Sequence, residues 1–118
     1  MNERDETRLE WIKEEIEFVL KITCEHSLES FLNDDLVQHG VTMALINIGE
    51  SVKSLSSPLK QEHQHIEWQD ITNFRNIAAH NYDGLRMEWI FEIVTRDIPE
   101  LLEQVERILH DGKVKSGK

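Results

Sequence analysis

A chain of 118 residues, 39% of them apolar, is one domain's worth of sequence, long enough to bury a core and too short for two domains. Its formal charge of −10, from 23 acidic against 13 basic residues, works against nucleic-acid binding over a broad surface, although a few arginines in one cleft could still hold a phosphate. The lone cysteine, Cys24, can form no internal bridge and stands in no metal-ligand spacing, so a reducing cytoplasmic setting is expected.

The acidic start, Met1-Asn2-Glu3-Arg4-Asp5-Glu6, lacks the basic and apolar parts of a secretory signal. No membrane span is expected: the apolar stretch Val41 to Ile48 is broken by Thr42 and Asn47 and falls short of the roughly 20 residues required. From Asp5 to Thr23, Leu9, Ile12, Ile16, Val19, Leu20 and Thr23 recur at helical spacing. Trp11, Phe18 and Ile22 add a second stripe, so this helix is expected to touch neighbours on two sides, inside the bundle or across a subunit interface.

After His26-Ser27 a short helical piece leads to Asn33-Asp34, either of which can cap a longer helix carrying Val37, Val41, Ala44, Leu45, Ile48, Val52 and Leu55 inward. Ser57 as cap and Pro58 as first helical residue predict a brief turn, and Lys60 to Glu67 a polar loop. His63 and His65 alternate in that loop without further ligands at useful spacing, so they are read as solvated. A third helix carries Trp68, Ile71, Phe74 and Ala78 inward and ends near Tyr82, with Asp83-Gly84 as the stop. A fourth uses Ile90, Val94, Ile98, Leu101, Val105 and Ile108, and Pro99 should kink or divide it. No stretch reads as a strand, so the fold is all-α, a bundle of four to five antiparallel helices spanning residues 1–110, followed by a disordered polar tail at 111–118.

The chemistry concentrates in Phe74-Arg75-Asn76-Ile77-Ala78-Ala79-His80-Asn81-Tyr82. At about 100° per residue Asn73, Asn76 and His80 share one polar stripe, while Arg75 and His80 stand roughly 140° apart, flanking a line that faces away from Phe74. An imidazole that titrates near neutrality can take the proton of a ribose 2′-hydroxyl, and a guanidinium matches the charged phosphoryl oxygens, so phosphodiester cleavage without metal or cofactor suits the pair. On spacing alone the same residues also fit a structural role, Arg75 pairing with a core-edge carboxylate such as Glu50 and His80 closing a helix end.

Arg75-Asn76 followed by His80-Asn81-Tyr82 resembles the R-x-x-x-x-H-x-Y motif of the HEPN superfamily, and within it the HepT toxins encoded beside a minimal nucleotidyltransferase, MntA. The likeness runs from about residue 5 to 110 and includes the Ile48-Gly49-Glu50 step, Trp68 and Asp97-Ile98-Pro99-Glu100-Leu101. It implies a homodimer in which two motif-bearing helices face one another, with RNA as substrate. His80 would move the proton, Arg75 hold phosphate, Asn76 position substrate or His80, Glu50 orient Arg75, and Asn73 support the site. The product would be a cyclic phosphate. It further implies a toxin of a type VII-like toxin–antitoxin system, neutralised when an MntA-like partner adenylylates Tyr82. The alternative is a non-catalytic HEPN subunit that presents nucleotide or substrate to that nucleotidyltransferase.

Overall fold

A computed structural model describes residues 1–81 and 84–116, and every long element among them is helical. Helix α1 spans Glu3–Thr23; the Asn2 side chain accepts from the Asp5 N–H at 2.7 Å, and Glu3, Asp5 and Glu6 place negative charge on the first turn, where the helix dipole favours it. Its inward stripe, Leu9, Ile12, Ile16 and Val19, is fully buried. The second stripe is largely open, with Trp11 49% and Phe18 45% exposed.

Helix α2, Leu28–Leu32, starts at a reciprocal Ser27/Ser30 capping box and buries Phe31 against the Phe91 ring at 5.1 Å. Helix α3, Asp35–Lys53, begins at Asp34, whose carboxylate accepts from Val37 N–H at 3.1 Å, and buries Val41, Ala44, Leu45, Ile48 and Val52. Helix α4 covers Ser57–Glu62, so helix extends into the expected loop, and Ile66 beyond it is buried. Its cap is Ser56 rather than Ser57, with the hydroxyl accepting from Leu59 N–H at 3.4 Å. The cause is tertiary: the buried Asp5 carboxylate accepts from Ser56 N–H at 3.0 Å and from its hydroxyl at 2.6 Å. Burial lowers the Lys60 pKa, and the nearby Asp5 carboxylate opposes the shift.

Helix α5 is Trp68–His80 and helix α6 is Met87–Glu92. A π-helical turn, Ile93–Asp97, then leads into α7, Ile98–Ser116. Helical backbone runs on through α6, this turn and α7, so Pro99 does not divide the run; a π turn directly ahead of it takes up the missing N–H and the bulk of its ring. The wider turn is visible where Ile98 N–H reaches back to the Ile93 carbonyl. Helix α7 continues through the first residues of the segment expected as a tail.

Packing places α3 between α1 and α5, with α7 against α1. Helices α1 and α3 are antiparallel, since Asp5 at the start of one binds Ser56 just past the end of the other, while Phe18 and Ile22 lie beside Gly40 near its start. Helices α1 and α7 are also antiparallel, as Lys13 pairs with Glu106 at 3.7 Å and Met1 reaches Gly112. No helix among the described residues is long and apolar enough to cross a membrane.

Replacing Asp5 with Ala leaves the part-buried Ser56 N–H and hydroxyl proton without their acceptor, at a cost of about 1–3 kcal/mol. Thermal unfolding followed by circular dichroism should show a fall in Tm of roughly 5–15 °C, against a change near zero for Glu17→Ala on the exposed face of α1.

Candidate active site

Helix α5 begins without a side-chain cap on Glu67, and Trp68 anchors the start instead. Its indole N–H donates to the His63 carbonyl at 3.0 Å and its backbone N–H to the Ile66 carbonyl at 2.8 Å, which fixes the loop carrying His63 and His65. The histidine rings stand 6.1 Å apart. Phe74 and Ala78 face the core, and Phe74 packs on the Trp89 ring at 5.3 Å, tying α5 to α6. The helix ends at His80, with Asn81 N–H donating to the Ile77 carbonyl at 2.9 Å.

The expected stop at Asp83-Gly84 works differently. Asp83 lies outside the described residues, and no described glycine has a positive φ. Gly84 is instead a place of close approach, because a Cβ there would collide with the Asn81 side-chain amide.

Arg75 projects toward α3. Its Nε lies 2.7 Å from Glu50 Oε2, and its Nη1 donates to Asn76 Oδ1 at 3.1 Å. The Nε is buried yet makes no aligned hydrogen bond, so the contact with Glu50 is an ion pair in which the carboxylate sits off the N–H direction. Glu50 is 53% exposed, and a pair this wet contributes at most about 1 kcal/mol to stability. Its effect is to aim the guanidinium. Such a pair meets both the functional and the structural expectation for Arg75.

The geometry behind the pair is set by Gly49. A Cβ at this position would collide with the Arg75 Cβ and come within 3.1 Å of the Ile71 carbonyl oxygen. Only a bare backbone lets α5 settle on α3 closely enough for Arg75 and Glu50 to meet. Sequence spacing does not reveal this, although a lone glycine inside a strongly helical stripe costs about 1 kcal/mol against alanine and so signals a packing demand.

The polar stripe lies on the outer side of α5. His80 is exposed, and its side chain makes no hydrogen bond among the described residues. Asn73, also exposed, accepts from the Gln69 amide at 2.9 Å and is separate from the Arg75 cluster. Arg75, Asn76 and Glu50 therefore form one bonded group, while His80 stands about 1.4 turns, about 7.5 Å, further along the same helix than Arg75. Tyr82 lies outside the described residues.

A family model described as ribonuclease HepT-like matches residues 12–108, a span that includes every one of these positions. The chain belongs to the HepT-like ribonuclease family, within the HEPN superfamily. A candidate RNase of Caldanaerobacter subterraneus subsp. tengcongensis is 33% identical over 105 residues, covering 89% of this chain and 94% of that one. A protein of Methanocaldococcus jannaschii described as a gamma-glutamylcyclotransferase and candidate RNase is 29% identical over 93% of this chain, which spans only 50% of that protein. A candidate RNase from the same archaeon is 28% identical over 85% of this chain and 83% of its own. No solved structure gives a significant match.

The Gly49 contact predicts that Gly49→Ala costs about 1–3 kcal/mol through overpacking. It should also move the Arg75 Nε–H resonance in a ¹H–¹⁵N spectrum, since the ion pair depends on the same approach. An unchanged resonance in a folded variant would show that Gly49 does not set the position of Arg75.

Proposed function

We propose that the chain is a metal-independent RNA endonuclease of the toxin kind, with Arg75 and His80 as its catalytic residues. The observation that carries this reading is the guanidinium aimed by Glu50 and Asn76, on the same helix as an exposed His80, in a member of a ribonuclease family. His80 takes the proton of a ribose 2′-hydroxyl as the O2′–P bond forms and the P–O5′ bond breaks, then returns it to the departing 5′ oxygen. Arg75 neutralises the charge that builds on the phosphoryl oxygens, and Asn76 and Glu50 hold it in place. The nucleophile belongs to the substrate, so the scheme asks for no metal-bound water.

The active form in this reading is a homodimer, and two features support it. The outer stripe of α5 is free to meet a second motif helix, and Trp11 and Phe18 leave apolar area open on α1. Control falls to an MntA-like nucleotidyltransferase that transfers AMP from ATP to the phenolic oxygen of Tyr82, releasing pyrophosphate. The sequence supports this by setting Tyr82 two residues after His80. The added phosphodiester carries a negative charge that competes with RNA for Arg75.

Purified wild-type chain is expected to cleave total cellular RNA in excess chelator and to leave 2′,3′-cyclic phosphate ends, and His80→Ala to lose at least about a hundredfold in rate with an unchanged circular dichroism spectrum. Equal cleavage by wild type and His80→Ala, or activity that returns only with magnesium, contradicts the mechanism. Intact mass spectrometry after co-expression with the nucleotidyltransferase is expected to show AMP adducts on the peptide containing Tyr82, and Tyr82→Phe to remain toxic. Suppressed toxicity without an adduct would mean that inhibition works by binding alone.

A further inference from the structure

Alongside the motif stripe, whose Asn73 enters its lining, α5 forms one wall of a groove of about 610 Å³, whose other wall is α6, the π turn and the start of α7. Leu45 and Ile48 of α3 lie at its floor, and Phe74, Ile77, Trp89 and Ile93 line its sides. Two of these are poorly covered for their size: Ile77 is 49% and Trp89 39% exposed. The π turn puts both Ile93 and Asp97 into the lining, and such turns often mark functional positions.

The charge around this apolar trough has one sign. Glu67, Asp70, Asp97 and Glu100 line it, all four are exposed, and no lysine or arginine does. Among the described residues none of the four is held in an ion pair. Four unneutralised carboxylates repel the phosphates of RNA. They equally disfavour a second copy seated groove to groove, which would bring both sets together across a two-fold axis.

From this combination we infer that the groove is a docking site for a basic amphipathic helix of a partner protein, with aliphatic anchors against Ile77 and Trp89 and lysines or arginines over the four carboxylates. Apolar anchoring of a helix in a groove with a complementary charged rim is an established mode of recognition. The site is separate from Arg75, which lies on the opposite flank of α5 facing α3, so occupation of the groove and contact of RNA with Arg75 are not mutually exclusive.

The probe is a fluorescently labelled synthetic helix of lysine and leucine, with its glutamate-for-lysine counterpart as control, titrated against the full chain and followed by anisotropy and by the Trp89 indole N–H resonance, assigned through Trp89→Phe. The lysine helix should bind and shift that resonance. Asp97→Lys combined with Glu100→Lys should weaken binding by roughly tenfold or more, while Glu17→Lys combined with Glu103→Lys, with the same net charge change, should weaken it by less than about twofold. Equal loss in both double variants, or equal binding of the glutamate helix, would overturn the proposal. A short oligoribonucleotide that shifts the Trp89 indole where the lysine helix does not would reassign the groove to RNA. A shift of that resonance on self-association would reassign it to a second copy. RNA cleavage by Asp97→Lys/Glu100→Lys should stay at the wild-type rate, which separates this test from that of the catalytic residues.

Discussion

Close approach between α3 and α5 at Gly49 is the constraint on which the site depends. A helix interior gains nothing from glycine and loses about 1 kcal/mol relative to alanine, so the residue is retained against its own helical preference. In return the Arg75 stem lies directly on the α3 backbone, and Glu50, the next residue, is brought to 2.7 Å from Nε. One packing decision thus fixes both the cation and the group that aims it. The surrounding bundle serves that decision from both sides: α1 backs α3 through its buried stripe, and Phe74 fastens α5 to α6 through Trp89.

Charge is distributed to match. A chain of −10 can approach RNA productively only where its acids are offset locally. Glu50 is spent on Arg75, which leaves that flank of α5 near neutral, whereas the opposite flank keeps four unpaired carboxylates around an apolar groove. The two flanks of one helix are therefore suited to partners of opposite charge.

Much of this was legible in the sequence, because burial follows period. Leu9, Ile12, Ile16 and Val19, then Val41, Ala44, Leu45, Ile48 and Val52, Trp68, Phe74 and Ala78, and Ile90 to Ile108 at their stated spacing turn inward, whereas the run through Pro99 stays helical by way of a π turn. The Arg75–Glu50 partnership was also readable, once as a structural pair and once through family resemblance. What escaped depended on contacts distant in sequence. The choice of Ser56 over Ser57 as cap is made by Asp5, and the need for glycine at 49 is made by Arg75 and Ile71. The short helix beyond Pro58 forms in a polar stretch because Leu59 and Ile66 find the core. Nor does periodicity show that Ile77 and Trp89 stay partly open beside four carboxylates from three separate elements and a loop edge.

In the proposed mechanism Glu50 serves RNA cleavage by aiming the planar fork of Arg75, rather than by adding stability. The most direct measurement is a double-mutant cycle on the single-turnover cleavage rate of a short RNA, using wild type, Glu50→Gln, Arg75→Lys and the double variant. A lysine ammonium has no fork to orient. Glu50→Gln is expected to slow the wild type by about tenfold, close to 1.4 kcal/mol, and to slow Arg75→Lys by less than about twofold. Equal slowing in both backgrounds would contradict it, because Glu50 would then act without regard to the group it touches.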